Sequence, residues 1–169
     1  VNSVATSEGE KIFVIYTAPE NFVRADYKEQ DEKVSERTIS LKVSQSNSVL
    51  TETIRLVRPP LILVHGLWSS SAMWDDFYMK LENMIPDGFV YFPVDYRATN
   101  ASRFEVNKDV VKKKIEFARK NMLEVEKIAM VKADVIGHSM GGLLSRIHYQ
   151  GDLWPERTAY KQDTNYHKG

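Results

Sequence analysis

The stretch "GHSMG", residues 137–141, sets Ser139 between two glycines, just after the apolar run "ADVI" and just before the helix-like "GLLSRI". A serine hydroxyl attacks carbonyl carbons only when held on an exposed bend and relieved of its proton by a base. The G-x-S-x-G pattern delivers the first condition when a strand precedes it and a helix follows it, because the serine then projects from the sheet edge on a sharp turn. A side chain at Gly137 or Gly141 would collide as strand and helix fold back so closely. The serine itself is expected to take a strained backbone conformation costing about 1–3 kcal/mol. The bland alternative is a turn serine on an ordinary α/β domain. His138 adjoins the serine, but neighbouring side chains at a turn point apart, so a supporting role in packing is expected of it rather than that of base.

A second constellation is "LVHGLW" at 63–68. Attack on a carbonyl creates an oxyanion, which preorganised N–H groups stabilise by several kcal/mol, roughly 3–4 for a single donor. Met140, directly after the serine and at the start of a helix, would supply one backbone donor. The other must come from a loop after an earlier strand, and Leu67 is placed to give it. Gly66 lets that loop turn toward the site, and His65 is expected to anchor it by hydrogen bonding. Trp68, Met73 and Trp74 could touch a substrate chain beside this loop, Trp68 foremost, with core packing the simpler account of all three.

These residues need a sheet to hold them. Before the "RPP" at 58–60, the chain is β-rich: "EKIFVIY" at 10–16, "ERTISLKV" at 36–43 and "VLTETIRLV" at 49–57 carry Ile, Val, Thr and Tyr, the last two in alternation. "SQSN" is a plausible hairpin connection between them. After "RPP" short apolar runs alternate with amphipathic segments. "LILVHG" at 61–66 is continuous enough to be buried on both faces. Ser71 is expected to cap a helix through about residue 84, with Asp75 and Asp76 in its first turns and Trp74, Phe77, Leu81, Met84 and Ile85 at helical spacing. "DG" at 87–88 ends it, and "FVYFPV" at 89–94 is the next strand. A long helix is expected at about 105–126, its stripe traced by Val106, Val110, Ile115, Ala118 and Met122. "KADVIG" at 132–137 and "MGGLLSRIHYQ" close a β-α-β-α-β-α order, which argues a parallel sheet with covering helices.

"LILVHGLW…FVYFPVDYR…ADVIGHSMGGLLSR" resembles the first half of an α/β-hydrolase of the bacterial lipase and esterase kind, over residues 59–150. The resemblance implies an α/β class with a partial α/β-hydrolase fold, Ser139 as nucleophile, Leu67 and Met140 as oxyanion hole, and a small-molecule or lipid ester as substrate. "HGLW" lacks a run of glycines, so the short oxyanion loop fits better than the glycine-rich type. Residues 1–58 resemble the closing half of an immunoglobulin-like sandwich, as found ahead of catalytic domains in bacterial surface proteins, which points to a secreted or cell-surface setting. The alternative is that they are the first antiparallel strands of the next domain's own sheet. An acyltransferase or thioesterase would share the serine turn, and a non-catalytic surface binding module is the remaining rival.

The fold's order is Ser, then Asp or Glu, then His. Asp152, Asp163 and His167 stand in that order, yet no buried strand precedes any of them; residues 151–169 read as a polar tail. Asp95, at a strand end, is explained more simply by a capping or ion-pair role with Arg97. His65 is committed to its loop, and His148 falls inside a helix. Both ends of the sequence look cut, so the acid and base are expected beyond residue 169, and residues 1–169 alone are expected to be inactive. The formal net charge is zero, which removes the electrostatic case for nucleic acid. The chain contains no cysteine, which excludes disulfides and thiolate chemistry. No apolar run reaches membrane-spanning length, "KKK" at 112–114 reads as a solvated helix face, and neither metal spacing nor a phosphate-cradling loop is present. No cofactor is expected; oligomeric state is not legible.

Overall fold

The computed structural model describes residues 2–6, 9–13, 16–45, 48–84 and 89–150. In chain order the elements are β1 (Asn2–Thr6), β2 (Gly9–Phe13), α1 (Lys28–Asp31), β3 (Glu36–Gln45), β4 (Ser48–Val57), β5 (Leu61–Val64), α2 (Asp75–Met84), β6 (Tyr91–Val94), α3 (Phe104–Asn107), α4 (Val110–Glu124), β7 (Asp134–Gly137) and α5 (Met140–Gln150). Among these residues β1–β2 and β3–β4 are antiparallel pairs, and β6-β5-β7 is a parallel sheet. The expected break at 87–88 and the polar tail at 151–169 lie outside the described residues, as do Ile85, Asp152, Asp163 and His167.

The alternating runs of β3 and β4 line the same face of one hairpin, since the register sets Ile39 opposite Ile54 and Val43 opposite Leu50. Burial fades along it, from Leu56 at 9% exposure to Leu50 at 58%. Among the described residues the ladder shares no strand pairing with the parallel sheet. Arg58 ties the two regions instead. Its Nε donates to the Val34 carbonyl (2.8 Å), its Nη2 donates to the Asp31 carbonyl (2.7 Å), and its guanidinium lies over Phe22 and Phe89. Asp31 in turn accepts from Arg24 through the backbone N–H, Nε and Nη2, and these bonds hold its carboxyl well below the usual carboxylate range.

β5 is buried throughout because it is the central strand, and its alternate residues feed two cores. Ile62 and Val64 pack with Phe92, Val94, Leu144 and the α4 stripe Val111, Ile115, Ala118 and Met122. Leu61 and Leu63 pack on the other face with Trp74, Phe77, Leu81, Tyr91 and Ile136. Each fully buried aliphatic side chain contributes about 2–5 kcal/mol, measured as the cost of truncation to alanine.

Three local expectations need correction. Ser71 does not cap α2: Ser70 is extended and makes no side-chain cap bond, 71–74 form a 3-10 turn, and the α-helix begins at Asp75. Asp75 and Asp76 still offset the positive helix start. The helix at 105–126 is divided into α3 and α4, because Asp109 between them leaves the helical region (φ −95°, ψ 2°); the Asn107 side chain donates to the Thr99 carbonyl (2.8 Å) and accepts from the Thr99 hydroxyl (2.6 Å). The stripe therefore runs through Val111, while Val106 is 58% exposed. Lys114 is only partly solvated; it lies 5.3 Å from the Phe117 ring centroid, and burial lowers its ammonium pKa.

The connections decide where a site can form. From β5 the chain crosses to β6 through α2 on one face, then returns past β5 to β7 through α3 and α4 on the other. At such a switch point the two loops leaving the adjacent carboxyl ends diverge and open a crevice. Here those loops begin at His65 and His138.

Candidate active site

Register alone brings the two sequence constellations together. Val64 pairs with Gly137, so Gly66 and Ser139 each stand two residues beyond the same rung. The His138 N–H donates to the Val64 carbonyl (2.9 Å), extending the contact past the strand ends. A methyl placed on Gly66 would meet Ser139 Cβ at 2.9 Å and His138 Nδ1 at 3.0 Å. The loop after β5 and the turn after β7 thus touch through a position that has no room for a side chain.

Ser139 has φ 55°, a left-handed conformation that costs an L-residue about 1–2 kcal/mol. It is exposed. Its carbonyl accepts the Gly142 N–H (2.9 Å), so the residue sits where α5 starts. Met140 is the first residue of α5, and first-turn amides of a helix have no intrahelical acceptor. The glycines do what the spacing implied. A Cβ on Gly141 would lie 2.2 Å from the Val64 carbonyl oxygen and 2.5 Å from that of His65, and one on Gly137 would lie 2.6 Å from the Gly142 nitrogen. Helix α5 is seated directly on the ends of β5 and β7.

His65 is fully buried and has both ring nitrogens engaged. The Tyr96 N–H donates to Nε2 (3.2 Å), so Nε2 is the unprotonated nitrogen, and Nδ1–H donates to the Gly66 carbonyl (2.9 Å). Asp95 Oδ1 lies 3.6 Å from Nε2, beyond hydrogen-bond distance. Asp95 instead accepts the Arg97 N–H (3.0 Å), which, with the Arg97 charge, lowers its pKa. The capping explanation of Asp95 fits this geometry.

Leu67 is 42% exposed and Trp68 is 83% exposed with φ 52°. Core packing, the simpler account of the aromatic cluster, holds for Trp74, which is 7% exposed; it does not hold for Trp68 or for Met73 at 37%. The reason is the turn at 65–68, which throws Trp68 outward while the 3-10 turn carries Trp74 back onto Leu61 and Leu63. His148 lies in α5.

Three residues that the sequence did not single out brace this edge. Tyr96 is 5% exposed, stacks on the His65 ring (centroids 4.1 Å apart, 11° between planes) and donates its hydroxyl to the His65 carbonyl. Asn100 donates to the Ser69 carbonyl (2.9 Å), and Asn107 holds Thr99. The available signal was a tyrosine and two asparagines clustered after a strand's carboxyl end.

A family model described as "Lipase (class 2)" matches residues 58–163, well over half of the chain. The chain belongs to the class 2 lipase family. No curated protein and no solved structure matches it. The match to the class 2 lipases spans both loops just described and starts at Arg58, the residue that anchors the hairpin. Among the described residues no helix is long and apolar enough to cross a membrane, and no group of three or more His, Asp or Glu could hold a metal ion.

Proposed function

We propose that this chain carries the nucleophile and oxyanion hole of a serine ester hydrolase of the α/β-hydrolase superfamily, in residues 59–150, preceded by a separate β-rich unit at 1–58. Ser139 Oγ attacks the ester carbonyl carbon as a base takes its proton. The carbonyl π electrons move to oxygen, and the resulting anion is held by the N–H groups of Leu67 and Met140. Collapse of the tetrahedral intermediate expels the alcohol, which takes back the proton, and leaves an acyl-serine. Water repeats the sequence and releases the acid. Gly66, Gly137 and Gly141 are the close-contact positions that let the parts meet, and His138 is a neighbour rather than the base.

The observation that carries this reading is the exposed serine at φ 55° whose Cβ abuts Gly66. A left-handed backbone at an exposed hydroxyl, beside a loop fixed by buried hydrogen bonds, is the pattern of a preorganised site. Among the described residues Ser139 Oγ makes no hydrogen bond to a histidine: His65 is committed on both nitrogens. The base and acid are proposed to come from outside the described residues.

A fluorophosphonate probe applied to the native enzyme tests the reading. Covalent labelling of the peptide containing Ser139, located by mass spectrometry, is the expected result, since such probes react with activated serines. Labelling confined to another serine, or none in an enzyme that turns over esters, would overturn the assignment.

A further inference from the structure

From the contacts around His65, we infer that Tyr96 is the positioning residue that aims the Leu67 N–H of the oxyanion hole, acting through the His65 ring and backbone. The inference rests on the reading of Ser139 and Leu67 given above and adds the part that sets the donor's direction.

In a trans peptide the C=O and the following N–H point in opposite directions from one rigid plane, and no peptide bond among the described residues is cis. The Gly66 carbonyl and the Leu67 N–H share such a plane. Whatever holds the Gly66 carbonyl therefore dictates where the Leu67 N–H points. That carbonyl is held by His65 Nδ1 at 2.9 Å. The bond exists only if Nδ1 carries the ring proton, and a free imidazole populates both tautomers. The Tyr96 backbone N–H, donating to Nε2 at 3.2 Å, selects the Nδ1–H form.

Tyr96 then fixes the same histidine twice more. Its ring stacks on the imidazole, which leaves the ring one orientation, and its hydroxyl donates to the His65 carbonyl, which fixes the preceding peptide plane. Burial keeps the phenol protonated well above neutral pH, so the donor is always present. Tyr96 thus pins two successive planes, 65–66 directly and 66–67 through the His65 ring. Gly66 between them has no side chain to restrain its own dihedrals. Without the grip the loop could rotate the donor away while the fold stayed intact.

The test is Tyr96→Phe in the native enzyme. It keeps the stacked ring and the backbone N–H and removes only the hydroxyl. We expect kcat to fall roughly 10- to 100-fold, somewhat less than outright loss of an oxyanion donor, with KM within about twofold because ground-state binding does not use the anion's donors. Affinity for a boronic acid that forms a tetrahedral adduct should fall by the same factor as kcat/KM. Changes under twofold in both kcat and boronate affinity, or a loss confined to KM, would overturn the inference. Ser139→Ala in the same assay separates it from its premise. Turnover surviving that change removes the nucleophile reading, whereas a dead Ser139→Ala beside an unaffected Tyr96→Phe removes only the role of Tyr96. If Tyr96→Phe does not fold, nitrogen-15 shifts of His65 in the unmodified protein decide. Protonated Nδ1 with bare Nε2 at neutral pH is required, and the opposite tautomer would sink the inference.

Discussion

Ser139→Ala in the native enzyme is expected to lower kcat by about 10^4- to 10^6-fold while leaving the protein folded. The size follows from covalent catalysis: without the hydroxyl no acyl-enzyme forms, and only binding and oxyanion stabilisation remain. Folding should survive because Ser139 is exposed and contributes no buried side chain. Alanine inherits the left-handed φ of 55° and so inherits its cost. Ser139→Gly is equally inactive but relieves that cost. It should be as stable as the native protein, or more stable by up to about 1 kcal/mol. At this chain length 1 kcal/mol moves a melting midpoint by roughly 2–4 °C. Ester hydrolysis paired with thermal melts of all three proteins checks both halves. A Ser139→Gly protein that melts well below the Ser139→Ala protein would show that the turn is not strained.

The second large effect concerns stability and distinguishes two adjacent glycines. Gly141→Ala should destabilise by roughly 3 kcal/mol or more, a fall of about 10 °C in melting midpoint or a failure to accumulate folded protein. The added methyl would sit 2.2 Å from the Val64 carbonyl oxygen and 2.5 Å from that of His65. Both are backbone atoms of the central strand's end and cannot swing aside. Helix α5 would have to lift off the sheet, breaking the seat of Leu144 on Ile62 and Val64. Gly142→Ala places its methyl 3.4 Å from the Gly137 carbonyl oxygen, within reach of a small adjustment. There the better helix propensity of alanine, about 0.5–1 kcal/mol, should leave the protein unchanged or slightly more stable. Urea or thermal unfolding of the two variants measures the contrast. Equal loss at both positions would mean that α5 is not seated as described.

The parts legible in the sequence are those set by local pattern. Leu61–Val64 declared a strand buried on both faces because four apolar residues in succession suit nothing exposed, and the structure buries all four. The glycines at 137 and 141 declared close approach, because G-x-S-x-G between a strand and a helix has a steric reason. The illegible parts depend on partners far along the chain or on a local break in the backbone. Tyr96 meets His65 across 31 positions, and no periodicity links them. The division between α3 and α4 falls where the backbone of Asp109 leaves the helical region (φ −95°, ψ 2°), a local break that a continuous amphipathic pattern does not signal. The stripe itself was within reach: 111, 115, 118 and 122 repeat at i, i+4, i+7 and i+11, a better fit to 3.6 residues per turn than one through Val106. Ser71 is not a cap because the 3-10 turn begins at Ser71 itself, which puts Ser70 in the cap position and delays the α-helix to Asp75.

The proposed site requires the Ser139 hydroxyl and the amides of Leu67 and Met140 to converge on one reacting carbonyl. A crystal structure of the native enzyme inactivated by an alkyl phosphonate measures this directly, because the phosphonyl oxygen stands where the oxyanion forms. The expected result is phosphorus bonded to Ser139 Oγ, with the phosphonyl oxygen about 2.7–3.1 Å from both backbone nitrogens. Phosphorus on any other residue, or an oxygen on Ser139's adduct that faces solvent with neither amide in reach, would contradict it.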